Sequence, residues 1–174
     1  MKYVKLQHIT AGIPGDQGKH IKKKGIVMQI STKFTIAVHI LTAVQYFSED
    51  YKVTSDFLAS SIGSNPVIIR NIMSQLKKAG LLKVKRGTGG TAVSRPLEQI
   101  TFLDIYNAVE TNSNENLFRF HENPNPECPV GRNIHHALDD KLDAIQSAFE
   151  QELSRHSLAD VYASTVEAVR EKEA

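Results

Sequence analysis

The stretch "TSDFLASSIGSNPVIIRNIMSQLKKAG" constrains the fold more than any other part of this chain. Thr54 is a helix-capping residue type, and Phe57, Leu58 and Ile62 follow at helical spacing. Gly63 supplies the left-handed backbone conformation that ends a helix with little strain. "SNP" comes next, a cap followed by Pro66, and proline suits a first helical turn because its missing N–H would have no partner there. A second helix then runs through "VIIRNIMSQLKKAG" and stops at Gly80. A short helix, a Gly-containing turn and a second helix form the helix-turn-helix signature.

The second helix has two faces. Ile69, Ile72, Met73 and Leu76 fall together and are expected in the core. Val67, Asn71, Ser74 and Lys78 fall opposite, with Arg70 at the edge. Such a face suits a major groove: Arg bonds guanine bidentately, Asn bonds adenine, and Val67 can meet a thymine methyl. A plain polar face of a surface helix would look the same. The next segment favours the groove. "LLKVKR" alternates apolar and basic residues as a strand does, "GTGG" is a turn, and "TAVSR" is a return strand. A hairpin directly after a helix-turn-helix is a wing, and Lys83, Lys85, Arg86 and Arg95 would carry it to phosphates or a minor groove. The expected DNA-binding residues are Ser64, Asn65, Val67, Arg70, Asn71, Ser74 and Lys78, with Lys85, Arg86, Thr88 and Arg95 from the wing. Upstream, Ser31 caps a helix to about Tyr46, with Phe34, Ala37, Val38 and Leu41 on one face.

Charge divides the chain. Residues 1–27 carry six Lys and one Asp; residues 28–97 carry nine basic and three acidic residues. Residues 98–174 carry six basic and fifteen acidic residues. A basic part before an acidic part fits a polyanion-binding module followed by a different element. Residues 1–27 show scattered Gly and Pro and no apolar period, so they read as a weakly ordered basic extension. "KKKGIV" back-translates to an A/G-rich tract before the Met28 codon, as at a bacterial ribosome-binding site, so Met28 is the expected start; the rival reading is an arm that grips phosphates.

In the acidic part, Thr101 can cap "FLDIYNAVE". From Val130 a long helix pattern begins, with Ile134, Leu138, Leu142, Ile145, Phe149 and Leu153 every three or four residues. This stripe is more than one small domain easily covers, so it reads as a homodimer interface; packing within its own chain is the alternative. Ser157 caps a last amphipathic helix. The fold class expected is mainly α with a small β-hairpin: a winged helix-turn-helix over 28–97 and a helical dimerisation and sensor region over 98–174.

One cysteine among 174 residues excludes an internal disulfide. With no apolar run of about 18 residues and no secretory signal core, a cytoplasmic protein off the membrane is expected. Cys128 lies where the long helix starts, and helix N–H groups with Arg132 one turn on would favour a reactive thiolate. That makes Cys128 and Arg132 a redox-sensor candidate; an inert buried Cys is the alternative. His121, His135 and His136 lie nearby, but zinc needs about four convergent ligands, so no metal is assigned.

"MQISTKFTIAVHIL", "SNPVIIRNIMSQLKKAGLL", "RGTGG" and "CPVGRNIHHALDDKL" together resemble the Rrf-two family of bacterial transcription regulators, of IscR, NsrR and CymR type. The likeness covers Met28 to about Ser164 and is strongest for the YwnA-like branch, in which "HENPNPECPVG" is typical. It implies a homodimer on a palindromic operator, with the recognition helix at Pro66 to Ala79 and the wing at Leu82 to Arg95. Cluster-binding members have three Cys before the long helix; here only Cys128 remains, so no iron–sulfur cofactor is expected. The expected function is a DNA-binding transcription regulator with double-stranded DNA as partner and an effector the sequence does not name. A winged-helix module that binds protein and not DNA is the other class. An enzyme is not expected, because no nucleophile–base pair is indicated.

Overall fold

The computed structural model describes residues 31–49, 51–84, 90–110, 117–118 and 121–173. The extension 1–27 and the wing residues Lys85, Arg86 and Thr88 lie outside them. The elements run α1 (Thr32–Phe47), α2 (Ser55–Ile62), α3 (Pro66–Lys78), β1 (Leu82–Val84), β2 (Thr91–Val93), a 3-10 turn (Leu97–Gln99), α4 (Phe102–Val109), α5 (Pro129–Arg155) and α6 (Leu158–Glu173).

Local chemistry sets the ends. Ser31 Oγ accepts the Lys33 N–H at 3.2 Å, Thr54 Oγ1 accepts that of Phe57 at 3.2 Å, and Asn65 Oδ1 accepts that of Val67 at 2.8 Å. Each satisfies a first-turn donor that the helix leaves without a partner. Gly63 closes α2 at φ +68°, the left-handed region that a Cβ would strain. Thr101 and Asp104 form a reciprocal capping box on α4 (3.1 and 3.0 Å). Ser157 and Asp160 do the same for α6: Asp160 Oδ2 accepts the Ser157 N–H at 2.9 Å, and Ser157 Oγ accepts that of Asp160 at 3.3 Å. The carboxyl of Asp160 is therefore held below its ordinary pKa, first by the Ser157 N–H and then by its hydroxyl.

The hairpin is antiparallel, with Leu82 opposite Val93 and Val84 opposite Thr91. Leu81 and Leu82 tuck under it into a core built from Ile40, Leu41, Val44, Leu58, Ile69, Ile72 and Leu76. Ile100, Ile105, Val109 and Leu158 belong to the same core. The boundary at 97/98 is thus one of surface charge, and the apolar interior runs across it. An isolated antiparallel bridge, Thr101 to Ser157, fastens the start of α6 to the start of α4. Its hydrogen bonds run from Phe102 N–H to His156 O (2.9 Å) and from Leu158 N–H to Ile100 O (2.8 Å).

The long helix α5 contributes nothing to the buried core. None of its 27 residues is buried. It packs against α4, where the ring of Phe149 meets Tyr106 edge-on at 5.4 Å, and Gln146 Oε1 accepts the Leu117 N–H at 2.9 Å. The Tyr106 phenol is pushed above its ordinary pKa by burial and then by the carboxylates of Glu110 and Glu150. No described helix is long and apolar enough to cross a membrane.

Candidate nucleic-acid interface

Helix α3 shows the two faces expected. Ile69, Ile72, Met73 and Leu76 are buried. Val67, Arg70, Asn71, Ser74 and Lys78 are exposed, and Val67 is 56% exposed despite being apolar. Lys77 and Lys78 occupy the last turn, where cations are favoured by the helix dipole.

Two open grooves flank this helix. One lies against α2 and the hairpin, where Arg70, Ser74 and Lys77 face Thr54, Ser55 and Gly90. The other lies against α1, where Asn71, Gln75 and Lys78 face Thr32 and Lys33. Ser74 lines both grooves, so it sits on the ridge between them. Positions 70, 74 and 77 form one helical row and 71, 75 and 78 the other, as the 3.6-residue period requires. The ridge at Ser74 thus has Arg70 and Lys77 on one flank and Lys78 with Lys33 on the other.

The other sequence candidates take varied positions. Asn65 spends its side-chain oxygen on the cap, and Ser64 lies in the turn with its N–H bonded to Ala59 O at 3.0 Å. Arg70 is drawn toward the start of α2, where Nε donates to Ser55 Oγ at 3.3 Å and Nη2 lies 3.6 Å from Asp56 Oδ1. Both charged groups are more than half exposed, so this pair holds the guanidinium only loosely. Arg95 is paired with Asp104 at 2.8 Å, which ties the hairpin exit to the cap of α4. Gly90 turns at φ +97° beside Lys52 and Val53, bringing β2 back close to the start of α2. Sequence reasoning missed Lys33, Gln75 and Lys77. Lys77 was legible as Arg70 plus seven; Lys33 was not, because only folding brings α1 beside α3.

Cys128 is exposed and is the N-cap residue of α5. It fills no gap in the core of this chain, so the buried-filler reading does not hold. The backbone N–H groups of Gly131 and then Val130 hold its thiol below the ordinary pKa. The loop ahead of it is folded tightly: Asn125 O accepts the Cys128 N–H at 3.1 Å, and Asn125 Oδ1 accepts that of Glu127 at 2.9 Å. Gly131 permits this fold, since a Cβ there would lie 2.5 Å from Asn125 O. Arg132 is exposed on the first turn of α5. The ring of half-buried His135 meets that of His121 edge-on at 5.1 Å, and His136 is exposed.

Along α5, Ile134, Leu138, Leu142, Phe149 and Leu153 are half-buried, and Ile145 is 49% exposed.

A helix-turn-helix with a hairpin wing, six helices in all among the described residues, defines a winged-helix protein of the transcription-regulator class. The chain belongs to the Rrf2 family, whose model, described as "Iron-dependent Transcriptional regulator", matches residues 30–164. It is 41% identical over 132 residues to YwnA of Bacillus subtilis (strain 168), which is named as an HTH-type transcriptional regulator; the match covers 76% of this chain and 96% of YwnA. A crystal structure of a protein classed as DNA-binding shares 35% identity and a TM-score of 0.60, covering 74% of this chain and 97% of that one. The structure of CymR, the global cysteine regulator of B. subtilis, shares the fold at 20% identity and a TM-score of 0.58, covering 78% of this chain and 97% of CymR. The protein is a transcription regulator of this family and not an enzyme.

The family description invites an iron test. A cluster needs several thiolates, typically four ligands. The chain has one cysteine, and among the described residues no three His, Cys, Asp or Glu side chains converge to hold a metal. The residues present do not fit an iron–sulfur cluster.

Proposed function

We propose that the protein acts as a homodimer that sets two copies of α3 on the half-sites of a palindromic DNA operator. Residues 28–97 supply the DNA contacts, and residues 98–174 supply dimerisation and sensing. The observation that carries this reading is α5. A 27-residue helix with no buried residue leaves its apolar row over Ile134, Leu138 and Leu142 only half-buried and Ile145 exposed. Two copies laid together would bury those rows against each other, and a two-fold pair of α3 helices would face a two-fold operator. Sedimentation velocity tests it. The protein should run as a dimer at micromolar concentration, and Leu138→Glu with Leu142→Glu should give a folded monomer. A wild-type monomer throughout would overturn the reading.

Cys128 supports a thiol-responsive version. Its lowered pKa and exposure favour the thiolate, the form that attacks a hydroperoxide. The peroxide O–O bond breaks, the sulfur becomes a sulfenic acid by losing two electrons, and the departing hydroxide or alkoxide takes a proton from solvent to leave as water or an alcohol. The new polar group would sit at the cap of the dimer helix. Peroxide should change operator affinity of the wild type and leave Cys128→Ser unaffected; equal responses would dismiss the sensor.

A further inference from the structure

Lys33 stands at the start of α1, half-buried, and lines the same groove as Asn71, Gln75 and Lys78 of α3. One hydroxyl caps the helical turn that carries it. Ser31 Oγ accepts the Lys33 N–H at 3.2 Å and donates to Glu110 Oε1 at 2.8 Å. A hydroxyl has one proton and two lone pairs, so both bonds form at once. Phe34, on the same turn, meets Phe102 of α4 edge-on at 5.5 Å. The first turn of α1 is thus pinned to both ends of α4. Glu110 is also the C-cap residue of α4, the last before the segment that leads to Cys128.

We propose that Lys33 is a DNA-phosphate contact on the α1 flank of the reading helix, and that Glu110 is a positioning residue that holds it there through Ser31. This rests on the DNA-binding reading above. A duplex groove seated on the Ser74 ridge carries one backbone strand on each side. Arg70 and Lys77 meet the strand on the α2 side, and Lys78 with Lys33 meets the other. Without Lys33 the α1 flank has, among the described residues, only Lys78 as a cation in its groove. Because Glu110 touches no part of that groove, its effect on DNA would act through the Ser31 cap alone. A shift of the α4 end would move the Lys33 ammonium off the phosphate without unfolding α3.

The test is the salt dependence of binding to a fluorescein-labelled mixed-sequence duplex, read by anisotropy on the full chain. Each lost phosphate contact should lower the slope of log affinity against log salt by about 0.9 for each subunit bound. Lys33→Ala and Lys78→Ala should each lower it by that amount, and Lys172→Ala on α6 should leave it unchanged. Glu110→Ala should lower it as Lys33→Ala does, with no further loss in the double variant, while Glu110→Gln, which keeps an acceptor, should restore it. Circular dichroism melts separate a loss of folding from a loss of contact. Lys33→Ala with the wild-type slope, beside a lowered Lys78→Ala slope, would overturn the proposal and leave the DNA-binding reading standing. Glu110→Ala that melts earlier yet keeps its slope would overturn the positioning role. A wild type with no salt-dependent binding would overturn both readings.

Discussion

Leu158→Ala tests whether the last helix belongs to the DNA-binding core. Leu158 is fully buried among residues of the helix-turn-helix core, although it lies far downstream of them. Removing three buried carbons from a packed interior costs about 2–5 kcal/mol, and the value depends on how far the site can collapse. Here the backbone has little room to follow, since the Leu158 N–H is tied to Ile100 O at 2.8 Å and the Thr101–Ser157 bridge holds the junction. We therefore expect the upper part of that range, a large share of a total stability of about 5–15 kcal/mol. Urea unfolding followed by helical ellipticity measures it, at two protein concentrations so that any dimer contribution separates. Leu138→Ala on α5 should cost less at low concentration and show its effect through the concentration dependence. A cost under about 1 kcal/mol for Leu158→Ala would refute a core that spans the charge boundary.

Three further outcomes follow from the geometry. Gly131→Ala should break the Asn125–Cys128 turn, because its Cβ meets Asn125 O at 2.5 Å; thiol labelling of Cys128 should then follow the rate of an unstructured cysteine, and unchanged labelling would count against the turn. In the wild type, the labelling rate should reach half its plateau at a pH below the ordinary cysteine value, since helix N–H groups stabilise the thiolate; a midpoint at or above that value contradicts it. Asp160, with its folded pKa depressed, stabilises the fold fully above the ordinary Asp pKa and loses that effect as pH falls through the depressed value. The stability gap between wild type and Asp160→Asn should hold constant above about pH 5 and shrink below it; a gap that persists in acid would remove the capping box as its source.

What the sequence showed and what it hid divide along chain distance. The caps Ser31, Thr54, Asn65, Thr101 and Ser157 were legible because a capping bond spans two or three residues. The buried and exposed faces of α3 were legible because the helical period alone separates Ile69 from Asn71. The fold class followed from the order of those elements. Hidden were the pairings made only on folding: Ser31 with Glu110, Arg95 with Asp104, and Leu158 with the core. Arg95 looked like a wing cation because charge is visible in sequence and its partner nine residues on is not. Hidden too was the close approach of the Asn125 carbonyl to Gly131, which nothing in the local sequence marks. Lys33 was overlooked for the same reason, as its neighbours on α3 lie a whole helix-turn-helix away.

A two-fold pair of α3 helices reading DNA would leave a symmetrical footprint. The direct measurement is hydroxyl-radical footprinting on a duplex selected from a random pool by the full-length protein. Two protected half-sites are expected, related by a two-fold axis and centred about one helical turn or a multiple of it apart. Asn71→Ala should weaken both halves alike. A single unsymmetrical patch, or protection that Asn71→Ala and Ser74→Ala leave intact, would contradict it.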